Sequence, residues 1–143
     1  MQERAGRKFV VSASKVDIED STDDDSVRTA INKAMKMAEV RGKRACCSIA
    51  GPSTAVRKLT LPKMAQEDLA GAVWWEGGMV IPYDMENVYF DFQKVSTDDK
   101  SARIEVLFVA ASKDLVDRKQ QIVESCGLEV RIFDTDATYY YPL

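Results

Sequence analysis

The 143 residues contain no histidine. That removes Ser-His-Asp and Cys-His catalysis and every imidazole metal site. Cysteine is scarce and odd in number: Cys46, Cys47 and Cys126. Two are adjacent in a strand-like run, so their side chains are expected on opposite faces. No CxxC spacing occurs, and a zinc site would have to use thiolates and carboxylates alone. Buried, reduced thiols of a reducing compartment are expected instead. An excess of basic charge is also missing: Lys and Arg number 20 against 23 acids, and the pI is about 5.1. A general nucleic-acid or anionic-membrane surface needs a basic face, so both are excluded as a main function. No apolar run approaches the ~18–20 residues of a membrane-spanning helix. The opening residues 1–8 are polar and mixed in charge, with no apolar region behind them, and no secretory signal is expected there.

What is present suits one domain, or two small lobes sharing a core. Hydrophobic residues make up 45% and charged residues 30%, enough apolar surface for a core and too much for a disordered chain. Residues 9–16 read as a strand around Phe9, Val10 and Val11. Val27, Ile31, Ala34, Met35 and Ala38 then fall on one helical face. Asp25 or Ser26 is the expected cap, and Arg41 with Gly42 the expected end. Asp20 and Asp23, Asp24 and Asp25 precede that helix without the Gly and Glu of a calcium loop, so they read as a solvated cap and not a metal site.

Residues 45–50 form a short apolar run that predicts a strand buried on both faces. A turn at Gly51, Pro52 and Ser53 leads to a strand over 56–61, with Leu59 and Leu61 on one side and Lys58 and Thr60 on the other. Residues 65–76 predict a helix with Leu69, Val73 and Trp74 as its buried stripe, ended by Gly77 and Gly78. Pro82 forces an extended link. Residues 86–95 alternate strictly, with Val88, Phe90 and Phe92 facing one way and Tyr89, Asp91 and Gln93 the other. Residues 104–111 are the partner strand. Ser112 caps a third helix carrying Leu115, Val116, Ile122 and Val123, Gly127 stops it, and 128–133 form a last strand. The tail, Tyr139, Tyr140, Tyr141, Pro142 and Leu143, fits no element.

Trp74 and Trp75 are the most unusual local feature. Neighbours on a helix point about 100° apart, so both cannot be buried on one face. One is expected in the core, the other as a contact anchor of the kind enriched in binding hot spots. Tyr83 and Tyr89, on the polar sides of their segments, are candidate groove residues. Glu67, Glu76 and Asp91 have no histidine or metal cluster with which to do acid–base work. Arg57, Lys58 and Lys63 read as a solvated strand edge.

The ordered series Ser48-Ile49-Ala50-Gly51-Pro52-Ser53, Val56-Arg57-Lys58-Leu59 and Leu61-Pro62-Lys63-Met64 is similar to PilM-type type IV pilus assembly proteins. These are actin-like ATPases related to FtsA. Glu67-Asp68-Leu69, Trp75-Glu76, Ile81-Pro82-Tyr83, Asp91-Phe92-Gln93, Val109-Ala110-Ala111, Lys113-Asp114-Leu115-Val116 and Cys126-Gly127-Leu128 continue the match in order. The resemblance implies an α+β, actin-like fold. Residues 1–51 and 112–143 would be parts of the first actin-like subdomain, and 52–111 an inserted strand–helix–strand–strand lobe.

The resemblance also implies a nucleotide-phosphate turn of the form D-x-G-x-x-x-x-K, and no such pattern occurs in this sequence; Gly6, Arg7 and Lys8 do not replace it. The chain is expected to be a piece excised from a longer protein, because such a cut leaves sheet edges that a full protein would pair, with a natural truncated paralogue as the alternative. No cofactor and no enzymatic activity of its own are expected, ATP belonging to a full-length parent. The implied function is a cytoplasmic scaffold, peripheral at the inner membrane. It would capture the cytosolic tail of an inner-membrane pilus assembly protein, in a groove between insert and flanking sheet through Trp74, Trp75, Tyr83 and Tyr89. A homodimer is a further expectation. The alternative is a portion of an ATP-binding actin-like ATPase of a pilus, secretion or cell-division system. A small-molecule sensor built from paired lobes is a third reading.

Overall fold

The computed structural model describes residues 2–4, 7–98, 100 and 102–135. In chain order the elements are β1 (Gln2–Arg4), β2 (Arg7–Phe9), α1 (Asp24–Met37), β3 (Arg44–Ile49), β4 (Thr54–Pro62), α2 (Gln66–Val80), a 3-10 turn (Met85–Asn87), β5 (Val88–Asp98), β6 (Arg103–Ser112), α3 (Lys113–Ser125) and β7 (Glu129–Thr135). Strands pair as β1–β2, as β3–β7, and as a three-stranded sheet in the order β4-β6-β5. The chain divides into two units, residues 1–46 with 118–132 and residues 47–117 with 133–143. The tyrosine tail and Gly6 lie outside the described residues.

In the first unit, α1 starts at Asp23, whose carboxylate accepts the Ser26 N–H at 2.8 Å. The cap is thus two to three residues earlier than the spacing suggests, because Asp24 and Asp25 are helical and sit at the positive end of the dipole. The helix also stops before Gly42. Glu39 takes the left-handed conformation at φ 51°, its N–H bonds Lys36 O, and the Val40 N–H bonds Met35 O at 3.0 Å. This is a Schellman ending built on a residue with a side chain. Arg118 on α3 donates to Asp24 Oδ1 and Thr22 O, both at 2.7 Å, and Arg28 Nε donates to Ser125 Oγ at 2.8 Å. Ala30 and Ile122 are the buried apolar residues of these helices in this unit.

The expected strand over 9–16 is not formed. Regular structure ends at Phe9, and Val10 and Val11 are 78% and 63% exposed. A strand needs a ladder, and β1 offers only three residues, the last pairing being Gln2 with Phe9. The run at 45–50 is a strand, but its exposure alternates, with Cys46 and Ser48 exposed and Ile49 buried. It has one hydrogen-bonded neighbour, β7, and one covered face. Cys46 is consequently an exposed thiol, against the expectation of burial, while Cys47 and Cys126 are half-buried.

The second unit carries the main core. β6 lies between β4 and β5, antiparallel to both, which explains its near-continuous apolar sequence. Ile104, Val106, Phe108 and Ala110 point to one face and meet Leu59 and Leu61 of β4, Val88 of β5, and Leu69 and Val73 of α2. On the other side of the strand, Ala111 joins Ile49, Val116 and Phe133. The alternation read for β5 holds: Val88, Phe90 and Phe92 are turned in and Tyr89, Asp91 and Gln93 out. A bulge between Lys94 and Ser96 leaves Val95 46% exposed. Ser112 Oγ accepts the Leu115 N–H at 3.4 Å, capping α3 as expected, and Gly127 ends it at φ 78°.

Candidate functional site: a tryptophan-lined groove on α2

Helix α2 sets the site. Its buried stripe is Leu69, Val73 and Gly77, spaced four apart. Gly77 does not end the helix as its residue type suggests. A Cβ there would meet the Phe108 ring at 2.7 Å, and Phe108 is wholly buried. Gly77 is the close-approach residue that lets α2 lie on the sheet. The helix runs on to Val80 and stops where Ile81, preceding Pro82, takes the extended conformation (ψ 148°).

With Val73 facing the core, Trp74 is turned about 100° away and Trp75 about 200°. Neither is a core residue: Trp74 is 41% and Trp75 66% exposed. The expectation that one of the pair is buried is therefore corrected, Gly77 filling the place in the stripe. The two rings lie 6.3 Å apart, inclined at 37°. Gly71 and Gly78 leave the helix surface around them low. The Gly78 position is closed from outside by Met85 Cγ, 3.0 Å from where a Cβ would stand.

An open groove of about 500 Å³ runs beside the pair, lined further by Met79, Tyr83, Asp84, Met85 and Glu86. Met79 is 63% exposed. Tyr83 and Met85 are half-buried against the core, and the Tyr83 hydroxyl donates to Pro52 O, which fixes that wall. The structure thus brings Trp74, Trp75 and Tyr83 together. Tyr89 is not among the lining residues. Its hydroxyl pairs with Asp117 Oδ1 at 3.1 Å, which raises the phenol pKa, and Lys113 Nζ sits 5.6 Å over its ring. Lys113 also bonds Glu86 O at 2.7 Å. The sequence alone did not point to Met79, Asp84, Met85 or Glu86. The i to i+4 step from Trp75 to Met79 was the available signal, hidden once the helix was ended at Gly77.

Among the described residues no group of three or more His, Cys, Asp or Glu side chains could hold a metal ion. Among the described residues, left-handed glycines occur singly, Gly51 in a turn and Gly127 at a helix end, whereas a phosphate cradle uses successive inward N–H groups. No described helix is long and apolar enough to cross a membrane.

Fold and surface together define an α+β protein in which the strand–helix–strand–strand segment β4-α2-β5-β6 carries an exposed aromatic groove. The chain belongs to the family of the type IV pilus assembly protein PilM, whose model matches residues 7–141. Among solved structures it is similar to a PilM-PilN type IV pilus biogenesis complex, with TM-score 0.69 and 21% identity, covering 77% of this chain and 33% of that one. It is also similar to the cytoplasmic domain of EpsL, an inner membrane component of the type II secretion system of Vibrio cholerae. There the TM-score is 0.57 and the identity 16%, covering 74% of this chain and 42% of that one. The chain thus spans less than half the length of either structure.

Proposed function

We propose that this chain is a cytoplasmic scaffold of type IV pilus biogenesis, peripheral at the inner membrane, and that it holds the cytosolic tail of an inner-membrane pilus assembly protein. In this function the 143 residues act by binding and not by catalysis. The strand–helix–strand–strand lobe over 52–111 is the contact module. The observation that carries the reading is the exposed Trp74–Trp75 pair over a groove whose walls are fixed by the core. Large aromatics left out of a core at this cost in apolar exposure mark contact surfaces. A pre-formed groove suits a short extended segment, which gains pocket contacts with little reorganisation of its receptor. The family membership supports the setting, and the PilM of the matched complex is solved with PilN.

Calorimetric titration of the chain tests this. The cytosolic tail of the membrane protein of the same pilus system should bind saturably without nucleotide, and magnesium–ATP should give no binding heat. ATP binding without tail binding would replace the scaffold by the nucleotide-site reading.

A further inference from the structure

Charge is distributed unevenly around the groove. From residue 64 to residue 93 there is no Lys or Arg, while Glu67, Asp68, Glu76, Asp84, Glu86 and Asp91 all fall in this stretch. With six acids and no base, this stretch is net negative by six where the whole chain carries only −3. Two of these acidic residues, Asp84 and Glu86, line the groove together with the tryptophans. Lys113 reaches the Glu86 carbonyl and the Tyr89 ring. An indole face beside a carboxylate is the chemistry that holds a guanidinium or ammonium: the ring quadrupole attracts the cation and the carboxylate neutralises it. Met79 and Met85 line the same groove, flexible thioethers that fit apolar side chains of varied shape.

We propose that the groove receives a cationic, arginine- or lysine-bearing segment with interspersed apolar residues. This deepens the scaffold function above and rests on it. The basic side chain stacks on the exposed face of Trp75 and meets Asp84 and Glu86, while an apolar neighbour enters between Trp74, Met79 and Tyr83. The cytosolic flanks of membrane spans are enriched in Lys and Arg, so the tail of a membrane partner has the required composition. A second copy of the chain is disfavoured, because a two-fold pairing through this face sets its carboxylates against one another.

The test titrates the full chain with an oligopeptide alternating arginine and leucine, followed by tryptophan fluorescence. Two control peptides carry glutamate for arginine, or serine for leucine. Saturable binding of the first peptide alone is expected. Trp75→Ala should weaken it by about tenfold or more. The double variant Asp84→Asn, Glu86→Gln should weaken it and flatten its salt dependence. These side chains are exposed, so both variants should fold, as circular dichroism checks. Equal binding of the glutamate peptide, or unchanged affinity in either variant, overturns the proposal. So does a concentration-dependent dimer, seen by sedimentation, that Trp75→Ala abolishes. A partner tail that binds wild type and both variants alike would sink the groove while leaving the scaffold function standing. Binding of the peptide, with no pilus membrane-protein tail bound, would do the reverse.

Discussion

Two glycines in α2 should respond differently to the same substitution, one gaining stability and the other not. Gly71 and Gly77 are both helical with ordinary φ, and alanine in a helix interior gains about 1 kcal/mol over glycine. At Gly71 an added Cβ meets nothing within 4 Å, so Gly71→Ala should stabilise by roughly 0.5–1 kcal/mol. At Gly77 the Cβ would lie 2.7 Å from Cε2 and Cζ of Phe108. That ring has no exposure and is flanked by Phe90, centroids 6.0 Å apart, so it has nowhere to yield. Overpacking of this kind costs about 1–3 kcal/mol, which cancels or outweighs the propensity gain. Because the propensity term is common to both, the two variants should differ by about 1–3 kcal/mol. In a unit of this size that separates their melting temperatures by roughly 4–8 °C per kcal/mol. Thermal unfolding followed by tryptophan emission reads the same unit, since Trp74 and Trp75 lie on this helix. Gly77→Leu should fail to give a native melt at all. Equal stabilisation by both alanines would refute the account of why α2 passes through Gly77 and Gly78 and presents its outer face.

Other outcomes follow from single contacts. Glu39→Gly should raise stability by about 1 kcal/mol in denaturant melts, because Glu39 holds a left-handed φ that glycine adopts freely; no gain would contradict that helix ending. Tyr89 should ionise above the usual tyrosine range because of its hydrogen bond to Asp117 and that residue's charge. Its folded pKa is the higher one, so the associated stability is full below the unfolded value of about 10 and is lost as pH rises through the folded value. Ultraviolet difference titration against Tyr89→Phe should show this, and Asp117→Asn should bring the transition down. Iodoacetamide should modify Cys46 ahead of Cys47 and Cys126, by mass-spectrometric mapping, as it alone is exposed; uniform labelling would contradict the one-sided burial of β3.

The parts of the fold legible in the sequence are those decided locally or by burial on a sheet. The strict alternation from Val88 to Gln93, the continuous apolar run around Phe108 and the Ser112 cap each reflect one physical rule acting within a few residues. The misread parts depend on partners distant in the chain. Gly77 breaks helices by propensity and is helical here because Phe108 needs the space. Val10 and Val11 favour strands and lack a ladder. Gly42 looks like the stop of α1, yet Glu39 accepts the strained conformation first. The candidate site was legible as an oddity, two adjacent tryptophans, but not as a place. Its other walls come from Met79, in a helical turn that Gly77 and Gly78 concealed, and from Met85, brought over Gly78 by the turn after Pro82.

The chain has only two tryptophans, so a proton–nitrogen correlation spectrum contains two indole signals, one from Trp74 and one from Trp75. Titrated without nucleotide with the cytosolic tail of the inner-membrane partner, both indole signals should shift saturably, together with the amides of Met79 and Glu86. Tail binding that moves amides elsewhere and leaves both indoles in place would contradict the proposal that this groove holds such a tail.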